Sequence, residues 1–135
     1  MACWLLKTEP GSYGFADLLR EGSTVWEGVV NALAQKHLRA ARQGDEALVY
    51  HTGDEKAVVG VARIASDPYP DPHDAAGKRV VVDLEPVRRL PAAVTLAEIK
   101  ADPAFRDFDL VRNSRLSVMP VPEPLRARLL ALGGL

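Results

Sequence analysis

Cysteine occurs once in this chain of 135 residues, as Cys3. One thiol closes no internal disulfide and builds no thiolate metal site, and it fits a reducing compartment. Its neighbours are apolar, so it reads as a packed thiol rather than a nucleophile. The three histidines, His37, His51 and His73, lack metal-ligand spacing, so neither a metal nor another cofactor is expected. No apolar run approaches the ~20 residues of a membrane span. The N-terminus lacks a basic segment followed by an apolar stretch and a cleavage site, so no signal peptide is expected and cytoplasm is the default location. Neither sign of charge is in excess: the net charge is −1. Tight non-specific binding to nucleic acid rests on neutralising many phosphates and normally shows as a basic domain. A nucleic-acid ligand would have to be discriminated by a pocket.

Catalytic signatures are missing too. There is no Walker-type loop, no G-x-G-x-x-G and no G-x-S-x-G. The carboxylates are scattered, with no pair spaced for acid/base work. No catalytic residue is assigned, and a non-enzyme is expected.

What is present is an ordinary globular composition, 47% hydrophobic and 26% charged. The length suits one domain, residues 1–135, with a core that needs no staple. Cys3-Trp4-Leu5-Leu6 reads as a buried strand ending at the Pro10-Gly11 turn. Phe15, Leu18 and Leu19 recur at helical spacing, with Gly22 as C-cap. Ala34, Leu38 and Ala41 share one face of a helix over about 31–42, whose outside carries Lys36, His37, Arg39 and Arg42. Glu46–His51 and Ala57–Ile64, joined by Thr52-Gly53-Asp54-Glu55, read as a hairpin. Gly60 inside its second strand predicts a bulge or a close approach by another backbone. Asp67–Pro72 reads as a stiff loop, and Arg79–Glu85 as a strand continuing past Pro86 to Leu90 with a break. Thr95-x-x-Glu98 is a capping box opening a short helix with Leu96 and Ile99 inward, stopped at Asp102-Pro103. Arg115–Met119 predicts a last strand, and Leu125, Leu129 and Leu132 mark a terminal helix. Short β runs interrupted by helices without βαβ alternation indicate α+β, best arranged as a small, partly open barrel with helices around it. A doubly wound α/β sheet is the weaker alternative.

Candidate function concentrates in 23–31. Trp26 supplies a π face and an N–H donor, and Gly28 permits close approach or positive φ. Asn31 is suited to cap the following helix. The stretch reads either as a stacking surface for a planar heterocycle or as a core tryptophan before a capped helix. Polar groups also punctuate apolar runs elsewhere: Lys7, Thr8 and Glu9 where the first strand ends, His51 beside Tyr50, and Ser114, Arg115 and Ser117 around Leu116. Singly these read as a surface acid, a satisfied core imidazole and a structural ion pair. Strand ends in a small barrel converge on one rim, where such folds bind ligands.

Four segments in order resemble the EVE-domain family. They are Lys7-Thr8-Glu9-Pro10, Trp26-x-Gly28-Val29-x-Asn31-x-x-Ala34, Gly44-Asp45 leading to Tyr50-His51, and Ser114-Arg115-Leu116-Ser117-Val118. The resemblance implies a PUA-like fold related to YTH and ASCH domains, and a non-catalytic pocket for a modified nucleobase, with modified cytosine in DNA leading. It assigns stacking to Trp26 and Phe15 and reading of the base edge to Asn31, Ser117 and the backbone at Gly28 and Val29. Thr8, Glu9, His51 and Leu116 complete the expected site. Phosphate would be held by Lys7, Arg115, Lys36 and Arg39. Two positions depart from the family pattern: Val30 stands where an arginine is usual, and Phe15 where a tryptophan is usual. RNA binding is the alternative reading. An enzyme acting on a nucleotide or planar metabolite, with Glu9 or His51 as acid/base, is a third.

Overall fold

The structure, a computed structural model, describes residues 1–135. Its first strand, β1 (Cys3–Thr8), buries its first four side chains and lies in the middle of the sheet's second half. It runs parallel to β3 (Glu46–His51) on one side and antiparallel to β7 (Val118–Pro120) on the other. β3 continues antiparallel into β4 (Ala57–Ile64), and β4 into β6 (Val80–Thr95). β2 (Thr24–Trp26) closes the far edge against β6, giving the order β2-β6-β4-β3-β1-β7. The sheet does not close on itself, since β2 and β7 remain edges. This is the α+β, partly open barrel expected from the pattern of elements.

Five helices pack around the sheet. α1 (Phe15–Glu21) ends at Gly22, whose φ of 79° places it in the left-handed region while its N–H bonds Leu18. α2 (Ala32–Ala40) begins at Asn31, whose side chain accepts from Ala34 N at 3.0 Å. α3 (Leu96–Ala101) opens on the Thr95–Glu98 capping box. α4 (Asp109–Arg112) follows a 3-10 turn at Pro103–Phe105, and α5 (Glu123–Leu132) ends the chain. One continuous core of 34 side chains joins sheet and helices. No helix is long and apolar enough to cross a membrane.

Several expectations need correction. The 23–31 stretch leads into α2 as expected, but it also holds a strand that was not expected, Thr24–Trp26, paired with Leu84, Asp83 and Val82. The loop over 67–72 contains a two-residue strand, β5 (Tyr69–Pro70), paired with Val81 and Val80. β6 does not break at Pro86 but runs for 16 residues through Pro86 and Pro91. The ladder absorbs both prolines at register shifts, where a missing N–H costs no regular bond. Val87 is extruded there and is 50% exposed. At Gly60 the expected bulge is present, the register of β4 shifting between Val58 and Gly60, while the close approach is by a ring rather than a backbone: a Cβ there would lie 2.5 Å from Phe15 ring atoms. The last strand begins at Val118, three residues later than expected, leaving Arg115 in the preceding turn. Leu19 and Leu132 are exposed rather than inward.

Candidate functional site

At one rim of the sheet the end of β1, the edge strand β2 and the segment before β7 enclose a cavity of about 370 Å³. That volume falls within the range, about 300–1,000 Å³, of sites that take small molecules. Trp26 forms one wall and is only 7% exposed. Its ring meets Tyr13 edge-on, with centroids 6.3 Å apart at 82°. Tyr13 is fixed from three sides. Its N–H donates to the Glu9 carbonyl at 2.9 Å. Its carbonyl accepts from Thr8 Oγ1 at 2.6 Å, and its phenol donates to Glu21 Oε1 at 2.7 Å. Burial pushes the Tyr13 phenol above its ordinary value, so it stays protonated and donating at neutral pH.

The floor turns at Gly28, whose φ of 79° is a conformation side chains rarely adopt. No atom lies within 4 Å of a Cβ built there, so backbone conformation rather than close contact calls for glycine. Gln35, buried in α2, holds the next residue: its Nε2 donates to the Val29 carbonyl at 2.8 Å and the Val80 carbonyl at 3.1 Å. Its Oε1 accepts from Val80 N at 2.9 Å. One amide thus ties the cavity loop to β6, while the Asn31 cap fixes the loop's other end to α2.

Ser117 lines the opposite wall, and its carbonyl accepts from Lys7 N at 2.9 Å. Lys7 is the one cation in the lining and Glu27 the one carboxylate. The Lys7 ammonium donates to the Ser114 carbonyl at 3.0 Å and sits 5.7 Å from the Tyr50 ring centroid. Burial lowers its pKa. The Trp26 indole N–H bonds no protein acceptor, yet no sealed side-chain nitrogen is left without a partner, so this N–H opens on the cavity. The lining therefore offers an aromatic wall, the hydroxyls of Thr8, Ser12, Thr24 and Ser117, and one ammonium. That set can stack a planar heterocycle and bond its edge, and nothing in it orients a nucleophile.

Of the residues singled out in the sequence, the structure brings together Lys7, Thr8, Trp26, Gly28, Val29 and Ser117 around this cavity. The others lie elsewhere. Phe15 is fully buried against Gly60, with the Arg89 guanidinium 5.7 Å from its ring centroid. His51 Nε2 accepts the Phe15 N–H at 3.0 Å, which leaves the proton on Nδ1, 2.7 Å from Glu55 Oε1. Leu116 is in the core. Glu9 Oε1 accepts from Gly11 N at 3.0 Å. Asn31 caps α2, and Arg115 and Lys36 are exposed. Arg39 donates to the Lys78 carbonyl. Val30, 65% exposed, lies outside the lining. No group of three or more metal-ligating side chains is present.

Sequence reading passed over Tyr13, Ser12, Thr24, Glu27 and Gln35. Tyr13 carried one signal, its place in the short link between the end of β1 and α1. Gln35 carried only its polarity beside Ala34 on a buried face.

Comparison with known proteins follows the same outline. Thymocyte nuclear protein 1 of Gallus gallus is 30% identical over 89% of this chain, which spans 64% of that protein's length. The solved structure of Rpa0253 from Rhodopseudomonas palustris superposes with a TM-score of 0.94 at 40% identity, over 99% of this chain and 94% of that one. Human THYN1 protein, solved in complex with 5-methylcytosine containing DNA, superposes with a TM-score of 0.91 at 27% identity, over 100% of this chain and 99% of that one. The YTH domain of Zygosaccharomyces rouxii MRB1 protein shares the fold at 18% identity and a TM-score of 0.63, covering 98% of this chain and 86% of that one. The architecture is PUA-like. The family model for the EVE domain matches residues 2–132, and the chain belongs to the EVE-domain family.

Proposed function

We propose that this chain is a non-catalytic module that takes one modified nucleobase of a nucleic-acid strand into the Trp26 cavity, with modified cytosine in DNA as its ligand. The observation that carries the reading is the cavity itself: a nearly buried tryptophan with an unpaired N–H, braced by Tyr13 and ringed by hydroxyls. Support comes from human THYN1 protein, a relative of the same fold, solved with 5-methylcytosine containing DNA. Extruding a base costs a few kcal/mol of unstacking. Stacking on an aromatic wall returns about 1–3 kcal/mol per base, and edge contacts offset the remainder. Trp26 is the stacking partner; Ser117, Thr8 and the backbone at Gly28 and Val29 read the edge. Lys7 and exposed Arg115 hold phosphate. A methyl group on the base is sensed by apolar contact alone, worth about 1–3 kcal/mol of discrimination, so selectivity is moderate.

The test is a titration with matched strands, plain or carrying 5-methylcytosine or 5-hydroxymethylcytosine, as DNA and as RNA, at one stated salt concentration. The expected result is tighter binding to a modified DNA strand, lost in Trp26→Ala. Equal affinity for all strands, or affinity unchanged in Trp26→Ala, overturns the reading. Tighter binding to the RNA strand through its 2′-hydroxyls reassigns the ligand.

A further inference from the structure

Lys7 also lines a second cavity. It measures about 300 Å³ and lies between the β3–β4 turn, α3 and the segment before β7. We propose that this neighbouring cavity binds a backbone phosphate next to the nucleotide whose base enters the Trp26 cavity. The proposal rests on the base-reading function above and adds where the strand runs.

Three lysines, Lys7, Lys56 and Lys100, line the second cavity, and no carboxylate does. Tyr50 lines the cavity with them. It is 3% exposed, its hydroxyl has no hydrogen-bond partner in the protein, and no sealed side-chain oxygen is left unpaired. That hydroxyl therefore opens on the cavity it lines, as a fixed donor awaiting an acceptor. Burial also raises the Tyr50 pKa, which keeps the donor protonated. Lys56 is the only non-glycine residue with positive φ, 45°. Its carbonyl accepts from Leu96 N at 2.8 Å, holding this sparsely populated conformation at the cavity rim.

The nearby acids, Glu9, Asp54 and Glu55, lie outside this lining. Glu9 lies beside Gly53, and its carboxylate accepts from Gly11 N at 3.0 Å and Thr52 Oγ1 at 3.4 Å. Glu55 bonds His51, and with Asp54 it lines an adjoining depression that shares Lys56 and Lys100 with this cavity. Three lysines and a buried phenol lining one cavity suit a tetrahedral oxyanion, because lysine supplies charge without demanding a planar partner. The two cavities share Lys7, and Ser114 and Ser117 at the two ends of one short turn line one cavity each. A strand passing over Arg115 reaches both.

The experiment is a salt series with single-stranded DNA carrying one modified cytosine, and its plain counterpart. The wild-type chain is compared with the Lys56→Asn/Lys100→Gln double variant and with Tyr50→Phe. Both lysines are exposed, and asparagine tolerates the left-handed conformation, so the fold survives. In the double variant the slope of log K against log salt should shrink by about 0.7, for the one phosphate no longer neutralised there. The modified-to-plain affinity ratio should not change. Tyr50→Phe should weaken both strands about threefold with the slope retained, as loss of one neutral donor predicts. A methylphosphonate beside the modified base should weaken the wild type but not the double variant. An unchanged slope with unchanged affinity in the double variant overturns the phosphate site. The base reading fails separately, when the wild type shows a ratio of one; the slope on the plain strand then still decides the second cavity.

Discussion

Trp4 and Trp26 are almost equally hidden, 6% and 7% exposed, yet the fold uses them in opposite ways. Trp4 lies on β1, which is paired on both sides, and its indole N–H donates to Asp45 Oδ2 at 3.0 Å. The same carboxylate accepts from Arg42 N at 2.9 Å and Ala2 N at 3.2 Å, so one buried acid closes the corner where α2 ends and β3 begins. Trp26 lies on the edge strand β2, and its N–H is left for an outside acceptor. Equal burial therefore separates into a completed contact and an open one. Burial alone does not tell the two apart; the presence or absence of a protein acceptor for the indole N–H does.

Four experiments sharpen or break that contrast. The Trp4 corner is sealed, and burial, with Glu46 beside it, pushes the neighbouring Cys3 thiol up to about 12. Thiol reagents at pH 8 should label Cys3 about a thousandfold or more slowly than in the unfolded chain, reporting global opening. Labelling of the native protein at the unfolded rate would show the corner to be open. Asp45→Ala removes the acceptor of three N–H groups and should cost about 3 kcal/mol in urea unfolding. A cost below about 1 kcal/mol would mean that water replaces the carboxylate there.

The crossed pair Trp4→Phe and Trp26→Phe comes next. Trp4→Phe should lower stability by about 1–2 kcal/mol with strand affinity intact. Trp26→Phe should leave stability within about 1.5 kcal/mol while weakening the modified strand about tenfold. Reversal of either pattern contradicts the assignment. Gly28→Ala has the smallest effect. Its methyl meets no atom within 4 Å, so only the left-handed backbone opposes it, at about 1 kcal/mol in thermal unfolding.

The sheet was legible where strands are apolar runs of six to eight residues, as in β1, β3 and β4. β2 was not, because three residues with Val25 facing solvent carry too little pattern, and their pairing is with a strand far along the chain. β6 was cut short for a sound local reason, two prolines, which the register shifts of the ladder overrode. At the site, Trp26 and Gly28 stood out by residue type, and Lys7 and Ser117 as polar groups set into apolar runs. Tyr13 did not, since only the folded chain sets its ring against Trp26. Phe15 and His51 were singled out as site residues, but the backbone N–H of one bonds the imidazole of the other away from the cavity. Polarity set into an apolar run marks a partner to be found, and the sequence does not say whether that partner is the protein or a ligand.

The most direct test of the central claim follows the two indole N–H resonances in a ¹⁵N-edited NMR titration with a strand carrying one 5-methylcytosine, each assigned by its phenylalanine variant. The account predicts that the Trp26 N–H shifts to saturation while the Trp4 N–H, bonded to Asp45, stays in place. A Trp26 resonance unmoved at saturating ligand would contradict it.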